Sequence, residues 1–227
     1  MILAIETATP HGSVALVRGD AVLGEIALPA GRQLSETYLP AVLELTGGRP
    51  ASRVAVSAGP GSFTGLRVGM AAAKGFCLGW GVPLVAVPTL HALALRFPVE
   101  GATICPVLDA RKKEVYAGFF RWDAGACVRV GADVAVAPEA LPGMLPPGKI
   151  LFCGDGTAPF GPLLRERLGD RALFPAPGDE FPRASAVGRL AALLAPGLEA
   201  TACRSAVPAY LRASEAETRR AGARPVN

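Results

Sequence analysis

Residues 57–70 read S-A-G-P-G-S-F-T-G-L-R-V-G-M, and no other stretch of this chain is as informative about its fold. Its pattern predicts the end of a short buried strand, a turn rich in glycine and proline, and the start of a helix near Ser62. The turn carries no catalytic side chain. It therefore indicates a surface built for packing or for backbone contacts.

The spacing of the glycines in this turn tests for a nucleotide-binding loop. Gly59, Gly61 and Gly65 miss the G-x-G-x-x-G pattern by one position, and no G-K-S or G-K-T follows. Backbone N–H groups at a helix N-terminus can bind an anion, so that alternative stays open. The spacing favours glycines that allow a sharp turn and close packing of the helix.

The predicted helix over residues 62–79 is apolar on more than one side. Its apolar seam and the adjoining stripe of small residues comprise Phe63, Leu66, Met70, Ala73 and Cys77, and Gly65, Gly69 and Ala72. Its only charged residues, Arg67 and Lys74, lie seven apart on one face. A helix of this kind normally has more than one neighbour, so we expect its own sheet to cover one side and another helix a second side.

Upstream of this helix, the pattern predicts an antiparallel meander followed by a helix and a strand. Short apolar or alternating runs predict strands at residues 2–7, 13–17 and 21–27, with turn residues between them. A helix is expected over 35–45, where Pro40 is tolerated if the helix begins near Thr37 and kinks it otherwise. A short strand at 54–56 then leads into the glycine turn.

The pattern starts again near residue 100. A strand at 83–87 and a helix at 90–97 close the first half, and runs at 104–109 and 115–120 then repeat the opening pair of strands. We therefore expect two lobes, residues 1–100 and 101–212. A strand at 150–156 and a helix at 184–194 belong to the second lobe, and residues 213–227 are predicted to form a flexible tail.

Composition restricts the class of protein. Among 227 residues, 51% are hydrophobic and 19% charged, which is typical of a folded globular chain. No apolar run is long enough to span a membrane, and the start M-I-L-A-I-E resembles a strand more than a signal peptide, so a cytoplasmic location is expected. The five cysteines are scattered, which predicts buried thiols.

Few residues are available for catalysis. His11 and His91 are the only histidines of the chain, and neither has a second histidine or a paired carboxylate at ligand spacing. Acidic residues near predicted strand ends are Asp109, Glu114 and Asp155. Such carboxylates can hold a metal or a nucleotide hydroxyl, or they can be turn formers without a ligand.

Four segments resemble one family in order along most of the chain. They are I-L-A-I-E-T-A-T at 2–9, G-P-G-S-F-T-G-L-R-V-G at 59–69, V-L-D-A-R-K-K-E-V-Y at 107–116 and V-P-A-Y-L-R at 207–212. By these motifs the chain is similar to the TsaB family, bacterial proteins that take part in threonylcarbamoylation of adenosine 37 of transfer RNA. The resemblance implies an α/β fold of the actin-like, sugar-kinase and Hsp70 type, with a central mixed β-sheet flanked by helices in each of two lobes.

The resemblance also implies a chain without catalytic activity of its own. The catalytic relative, TsaD, holds a metal with an H-x-x-x-H pair, and the matching positions here are Thr89 and Leu93. The acidic pair that follows the first strand of TsaD falls on Pro10 and His11. A scaffold that lacks these ligands should not run the metal-dependent chemistry.

The implied role is that of a scaffold and activator. The resemblance implies a heterodimer with TsaD and an assembly that the ATPase TsaE joins. It also implies that transfer RNA is contacted only indirectly and that the chain alone forms a homodimer. The expected partner-binding residues are Tyr38, Val42, Leu45, Phe63, Leu66, Arg67, Gly69, Met70 and Ala73. A bulky charged residue at Gly69 should then abolish the heterodimer and leave the monomer folded.

Two alternatives stay open at this point. One is a metal- or ATP-dependent enzyme of the same superfamily, peptidase-like or a small-molecule kinase. The other is direct binding of transfer RNA by the tail with Arg212, Arg219, Arg220 and Arg224, since a net charge of +4 permits weak attraction to nucleic acid. A solvated terminus is the favoured interpretation of this tail. No cofactor is expected to be required, and weak nucleotide binding at the lobe or partner interface is left open.

Overall fold

The computed structural model describes residues 1–29, 34–194 and 197–211. The first half of the chain forms a five-stranded mixed sheet whose strands are β1 (Ile2–Glu6), β2 (Gly12–Arg18), β3 (Ala21–Leu28), β4 (Arg53–Gly59) and β5 (Leu84–Pro88). Their order in the sheet is β3-β2-β1-β4-β5. The first three strands pair antiparallel, as predicted, and β4 and β5 are parallel to β1.

The second sheet repeats the connectivity of the first. Its strands are β6 (Ala102–Arg111), β7 (Glu114–Asp123), β8 (Ala126–Val136), β9 (Lys149–Cys153) and β10 (Ala172–Leu173), in the order β10-β9-β6-β7-β8. Again an antiparallel meander of three strands comes first, and two strands parallel to its first strand follow. This duplication confirms the predicted restart near residue 100, although β8 and β10 were not predicted.

Within the described residues, five α-helices accompany the two sheets. They are α1 (Leu34–Thr46), α2 (Phe63–Trp80), α3 (Thr89–Leu95), α4 (Thr157–Leu168) and α5 (Ala184–Leu193). Helices α1 and α2 cover the outer face of the first sheet, α3 and α5 lie between the two sheets, and α4 packs on the outer face of the second sheet. The sequence analysis did not predict α4, which contains Pro162 in its interior.

Alternation along β1 connects two of these layers. Leu3 and Ile5 point toward the core beneath α1 and α2, whereas Ile2 and Ala4 point toward the core that contains α3 and α5. Because both faces of this strand are covered, all five of its residues are buried. An uninterrupted apolar run is typical of such a central strand.

The helix ends follow the local sequence closely. The Ser62 hydroxyl accepts a hydrogen bond from the Gly65 N–H at the start of α2, and Gly81 ends this helix in the left-handed conformation. Helix α1 begins at Leu34, before Thr37, so Pro40 lies in its interior and has no N–H to donate to the preceding turn.

The last part of the described chain returns to the first sheet. Helix α5 packs against β1, β2, β4 and β5, and Leu198 pairs with Leu84 through two hydrogen bonds of 2.8 Å. The division into lobes 1–100 and 101–212 stays a prediction, and the described residues from Ala184 onward contact strands of the first sheet. The predicted tail at 213–227 lies outside the described residues.

Two expectations from composition can be compared with the structure. All five cysteines are buried and unpaired, which confirms the prediction of buried thiols. In the described part of the chain, none of the helices has the length and apolarity that crossing a bilayer would require.

Candidate functional site

The glycines of the 57–70 stretch bring α2 against the end of β1. A Cβ atom at Gly61 would overlap Ala8, one at Gly65 would overlap the carbonyl oxygen of Thr7, and one at Gly69 would overlap the Thr7 hydroxyl. The Thr7 hydroxyl in turn donates a hydrogen bond of 2.8 Å to the Gly65 carbonyl oxygen. These contacts confirm the packing role that glycine spacing favoured over anion binding.

This close packing corrects the predicted partner-binding surface. Five of the nine predicted residues are buried inside the protein itself, namely Val42, Leu66, Gly69, Met70 and Ala73. The side chains of Val42, Met70 and Ala73 belong to the core between the first sheet and its outer helices. The expectation that a bulky residue at Gly69 leaves the monomer folded is wrong for the same reason, because Thr7 occupies that space.

The other four predicted residues lie nearer the surface. Tyr38 and Leu45 are half-buried along α1, and the Tyr38 ring contacts the edge of Phe76 at a centroid distance of 6.3 Å. Phe63 and Arg67 are exposed on α2. Whether these residues contact a partner stays a prediction.

Apart from Arg67, the exposed side of the two outer helices consists of residues that the sequence analysis did not select for partner binding. We call this surface the outer helix face; its members are Leu39 and Leu43 of α1 and Thr64, Arg67, Ala71, Gly75, Leu78 and Gly79 of α2. Apart from the nearby backbone of α2 itself, no atom of residues 1–29, 34–194 and 197–211 lies within 4 Å of the position that a Cβ would take at Gly75 or Gly79. Arg67 was the available signal, because a charged residue marks the solvent side of a helix.

Arg67 joins this face to the end of the described chain. Its guanidinium lies over the Phe63 ring at 4.0 Å, and its Nε donates a hydrogen bond of 3.2 Å to the Tyr210 hydroxyl. The Phe63 and Tyr210 rings also touch, with centroids 5.2 Å apart. Two residues one turn apart on α2 and a tyrosine 143 residues after Arg67 thus form one cluster at the start of α2.

A second region of interest lies where turns of the two sheets meet. Asp155 accepts a hydrogen bond of 3.0 Å from the Asp109 N–H, and burial raises the pKa of the Asp155 carboxyl. Asp109 forms an ion pair of 3.1 Å with Arg111. His11 stacks on Phe181 at a centroid distance of 3.8 Å. The predicted acidic residues thus come together, except Glu114, which begins β7 opposite Arg111.

Close to these turns lies a buried carboxyl that the sequence analysis missed. One oxygen of Glu6 accepts a hydrogen bond of 2.5 Å from the Ala8 N–H, and the other has no hydrogen-bond partner among the described residues. Burial raises the pKa of Glu6 to about 7. No group of three or more His, Cys, Asp and Glu side chains that could hold a metal occurs in ranges 1–29, 34–194 and 197–211.

Comparison with known proteins identifies the family. The family model described as TsaD, tRNA N6-adenosine threonylcarbamoyltransferase, matches residues 49–219. A protein of Bacillus subtilis, "tRNA threonylcarbamoyladenosine biosynthesis protein TsaB", is 31% identical over 225 residues, which cover 96% of this chain and 96% of that protein. The chain belongs to the TsaB family. The match to the TsaD model shows in addition that it carries a TsaD-like domain.

Solved structures agree with this assignment. The structure of YeaZ from Pseudomonas aeruginosa is 26% identical, with a TM-score of 0.75 over 92% of this chain and 99% of that one. Component A of (R)-2-hydroxyglutaryl-CoA dehydratase from Acidaminococcus fermentans, 8% identical, covers 85% of this chain and 97% of that one with a TM-score of 0.51, a likeness of fold alone. With the duplicated sheets, these likenesses confirm the predicted actin-like α/β fold.

The structure also places the two residues that the resemblance set opposite the metal-binding pair of TsaD, Thr89 and Leu93. Thr89 is buried and accepts a hydrogen bond of 3.1 Å from the Gly59 N–H. Leu93 is buried between the two sheets. The nearby His91 contacts the Cys127 carbonyl oxygen through Nε2, and burial lowers the pKa of its imidazole.

Proposed function

We propose that this chain is a non-catalytic subunit that binds and activates a TsaD-type transferase in the cytoplasm. In this role it supports threonylcarbamoylation of adenosine 37 in transfer RNA, which it contacts only indirectly, and TsaE joins the assembly. Support comes from the 31% identity to the Bacillus subtilis protein over nearly its whole length. The buried Thr89 and Leu93 agree with a subunit that leaves the metal chemistry to its partner.

The single observation that carries the partner role is the composition of the outer helix face. Glycine inside a helix costs about 1 kcal/mol relative to alanine. Gly75 and Gly79 carry that cost without serving any contact of their own, since the space beside them is open. Leu39, Leu43 and Leu78 are exposed around them. A second helix that approaches closely over the glycines and covers the leucines would account for both features.

The fold of the expected partner supports the same geometry. The TsaD model matches residues 49–219, which contain α2, so a TsaD-type partner would present a helix equivalent to α2, and we expect a helix equivalent to α1 beside it. Two such pairs can meet in a four-helix contact with approximate two-fold symmetry. In the absence of TsaD, a second copy of this chain would fit the same face, which is the homodimer that the resemblance implies.

Replacing Gly75 with arginine tests the proposal. The monomer should stay folded, because the space at Gly75 is open and arginine is a better helix former than glycine. Calorimetry and size-exclusion chromatography should detect no heterodimer of this variant with TsaD. Threonylcarbamoyl transfer in the presence of TsaD and TsaE should fall to the rate measured without this chain. Gly143→Arg is the matched control, since Gly143 also has open space but lies in the second half of the chain.

The outcome that contradicts the proposal is wild-type affinity of Gly75→Arg for TsaD. Gly69→Arg serves as a contrast on the other side of the same helix. At Gly69 the added side chain would overlap Thr7, so the monomer of this variant should already have a lower unfolding temperature than wild type, whether or not TsaD is present.

A further inference from the structure

The V-P-A-Y-L-R segment has no role in the function proposed above, yet the structure docks its described residues tightly. After a short 3-10 turn at Ala202–Ser205, residues 206–211 run past the start of α2; we call them the C-terminal strap. The Ala209 N–H donates a hydrogen bond of 2.7 Å to the Ala58 carbonyl oxygen. A Cβ atom at Gly59 would overlap the Ala209 carbonyl oxygen, so this glycine permits the approach.

Tyr210 connects the strap to the outer helix face. Its hydroxyl accepts the hydrogen bond from Arg67 Nε, and its ring lies against Phe63. Phe63 and Arg67 are themselves exposed, so the cluster adjoins the outer helix face without a break. Tyrosine and arginine are among the residue types that contribute most to binding energy at protein interfaces.

The strap also presents apolar side chains to the outside. Val207 is 72% exposed and Leu211 is 40% exposed. Both line a groove of about 360 Å³ between the strap, the ends of β4 and β5, and β8, whose walls include Pro60, Pro88 and the ion pair of Arg129 with Asp133. The backbone contacts of the strap therefore hold two apolar side chains at the edge of a largely apolar groove.

Cationic groups lie along one border of this region. Lys74 Nζ donates a hydrogen bond of 2.9 Å to the Arg204 carbonyl oxygen, which places the residues just before the strap beside the fourth turn of α2. Arg67 lies two turns closer to the N-terminus of that helix, and Arg204 is exposed. An apolar center with three basic residues beside it favours a binding partner that is apolar and carries carboxylates at its edge.

We infer that the C-terminal strap is a second contact patch for the TsaD-type partner and receives an apolar segment of it flanked by acidic residues. This inference rests on the proposed function and extends the contact area beyond the two helices. The occupant follows from the position of the patch: a protein seated on the outer helix face reaches Phe63, Arg67 and then the strap. Burying Val207 and Leu211 would add apolar area to the interface.

The test is a double variant, Val207→Ser with Leu211→Ser, and its binding to TsaD by calorimetry. Because both side chains are exposed, unfolding temperature should stay within a few degrees of wild type, while affinity for TsaD should fall at least tenfold. Leu193→Ser is the control, because Leu193 on α5 is also 72% exposed, and it should change affinity less than twofold. Arg204→Gln should reduce the salt dependence of the association rate.

Other results would overturn the inference. If the double variant binds TsaD within twofold of wild type while Gly75→Arg does not bind, the strap is outside the interface although the helix face is in it. If the double variant loses only self-association in the absence of TsaD, the occupant is a second copy of this chain. If Gly75→Arg also binds normally, the proposed function itself fails, so the two failures can be told apart.

Discussion

Replacing Glu6 with glutamine removes a fully buried ionisable group from the first sheet. Glu6 ends β1 and has no exposed surface. Burial is the main reason that its pKa rises from 4.5 to about 7, and the carboxylate of Glu25 nearby adds to the rise. Hydrogen bonds from the Ala8 and Thr7 N–H groups and from Ser57 oppose the rise only in part.

The direction of the stability effect follows from where the proton is bound. Between pH 4.5 and about 7 the folded chain holds a proton on Glu6 that the unfolded chain has released, so stability falls as pH rises through this range. Above the folded-state pKa the cost is complete. A rise in pKa of this size lowers the free energy of unfolding at high pH by about 3 kcal/mol. Glutamine cannot ionise, so the variant escapes the cost at high pH and differs from wild type by a constant amount at low pH.

Urea unfolding followed by tryptophan fluorescence at several values between pH 4 and pH 8 measures this effect. The difference in unfolding free energy, Glu6→Gln minus wild type, should increase by about 3 kcal/mol from the lowest to the highest pH. Glu44→Gln, a change of an exposed carboxyl on α1, should give a difference that varies much less with pH. A difference between Glu6→Gln and wild type that is constant across the range would refute the reasoning.

Two further predictions concern local backbone preferences, and thermal unfolding checks both. Lys113→Gly should raise the free energy of unfolding by about 1 kcal/mol, because Lys113 has a φ of 62° that glycine adopts without strain. Gly125→Lys should lower the free energy of unfolding, because Gly125 has a φ of 80°. Unchanged stability in both variants would speak against this reasoning. Ser62→Ala should cost about 1 kcal/mol through loss of the N-cap bond to Gly65, whereas Ser62→Asp should restore most of it.

Local patterns made much of the fold predictable. The strands of the first sheet follow from short alternating or apolar runs, and the second sheet follows from the return of the same pattern near residue 100. Where the local signal was weak, the prediction failed. Helix α4 contains Pro159, Gly161 and Pro162, and β8 has Gly131 at its center, so neither stands out as a regular element by residue type.

The face of α2 that meets solvent was decided by tertiary structure. Periodicity shows that a helix has distinct faces, but it does not say which neighbour covers which face. Two stripes of small residues run along α2, and the sequence analysis selected only the one that contains Gly65 and Gly69. Contact with Thr7 buries the stripe that contains Gly65 and Gly69, and the stripe with Gly75 and Gly79 is left open.

The sequence by itself determined the duplicated sheets and the tight glycine turn, because these depend on residues near one another along the chain. Only the tertiary structure decided which surface is available to a partner. That surface depends on contacts such as the one between Arg67 and Tyr210, which are 143 residues apart. No local pattern encodes such a pairing, because it arises only when both sheets have formed and the end of the described chain has returned to the first.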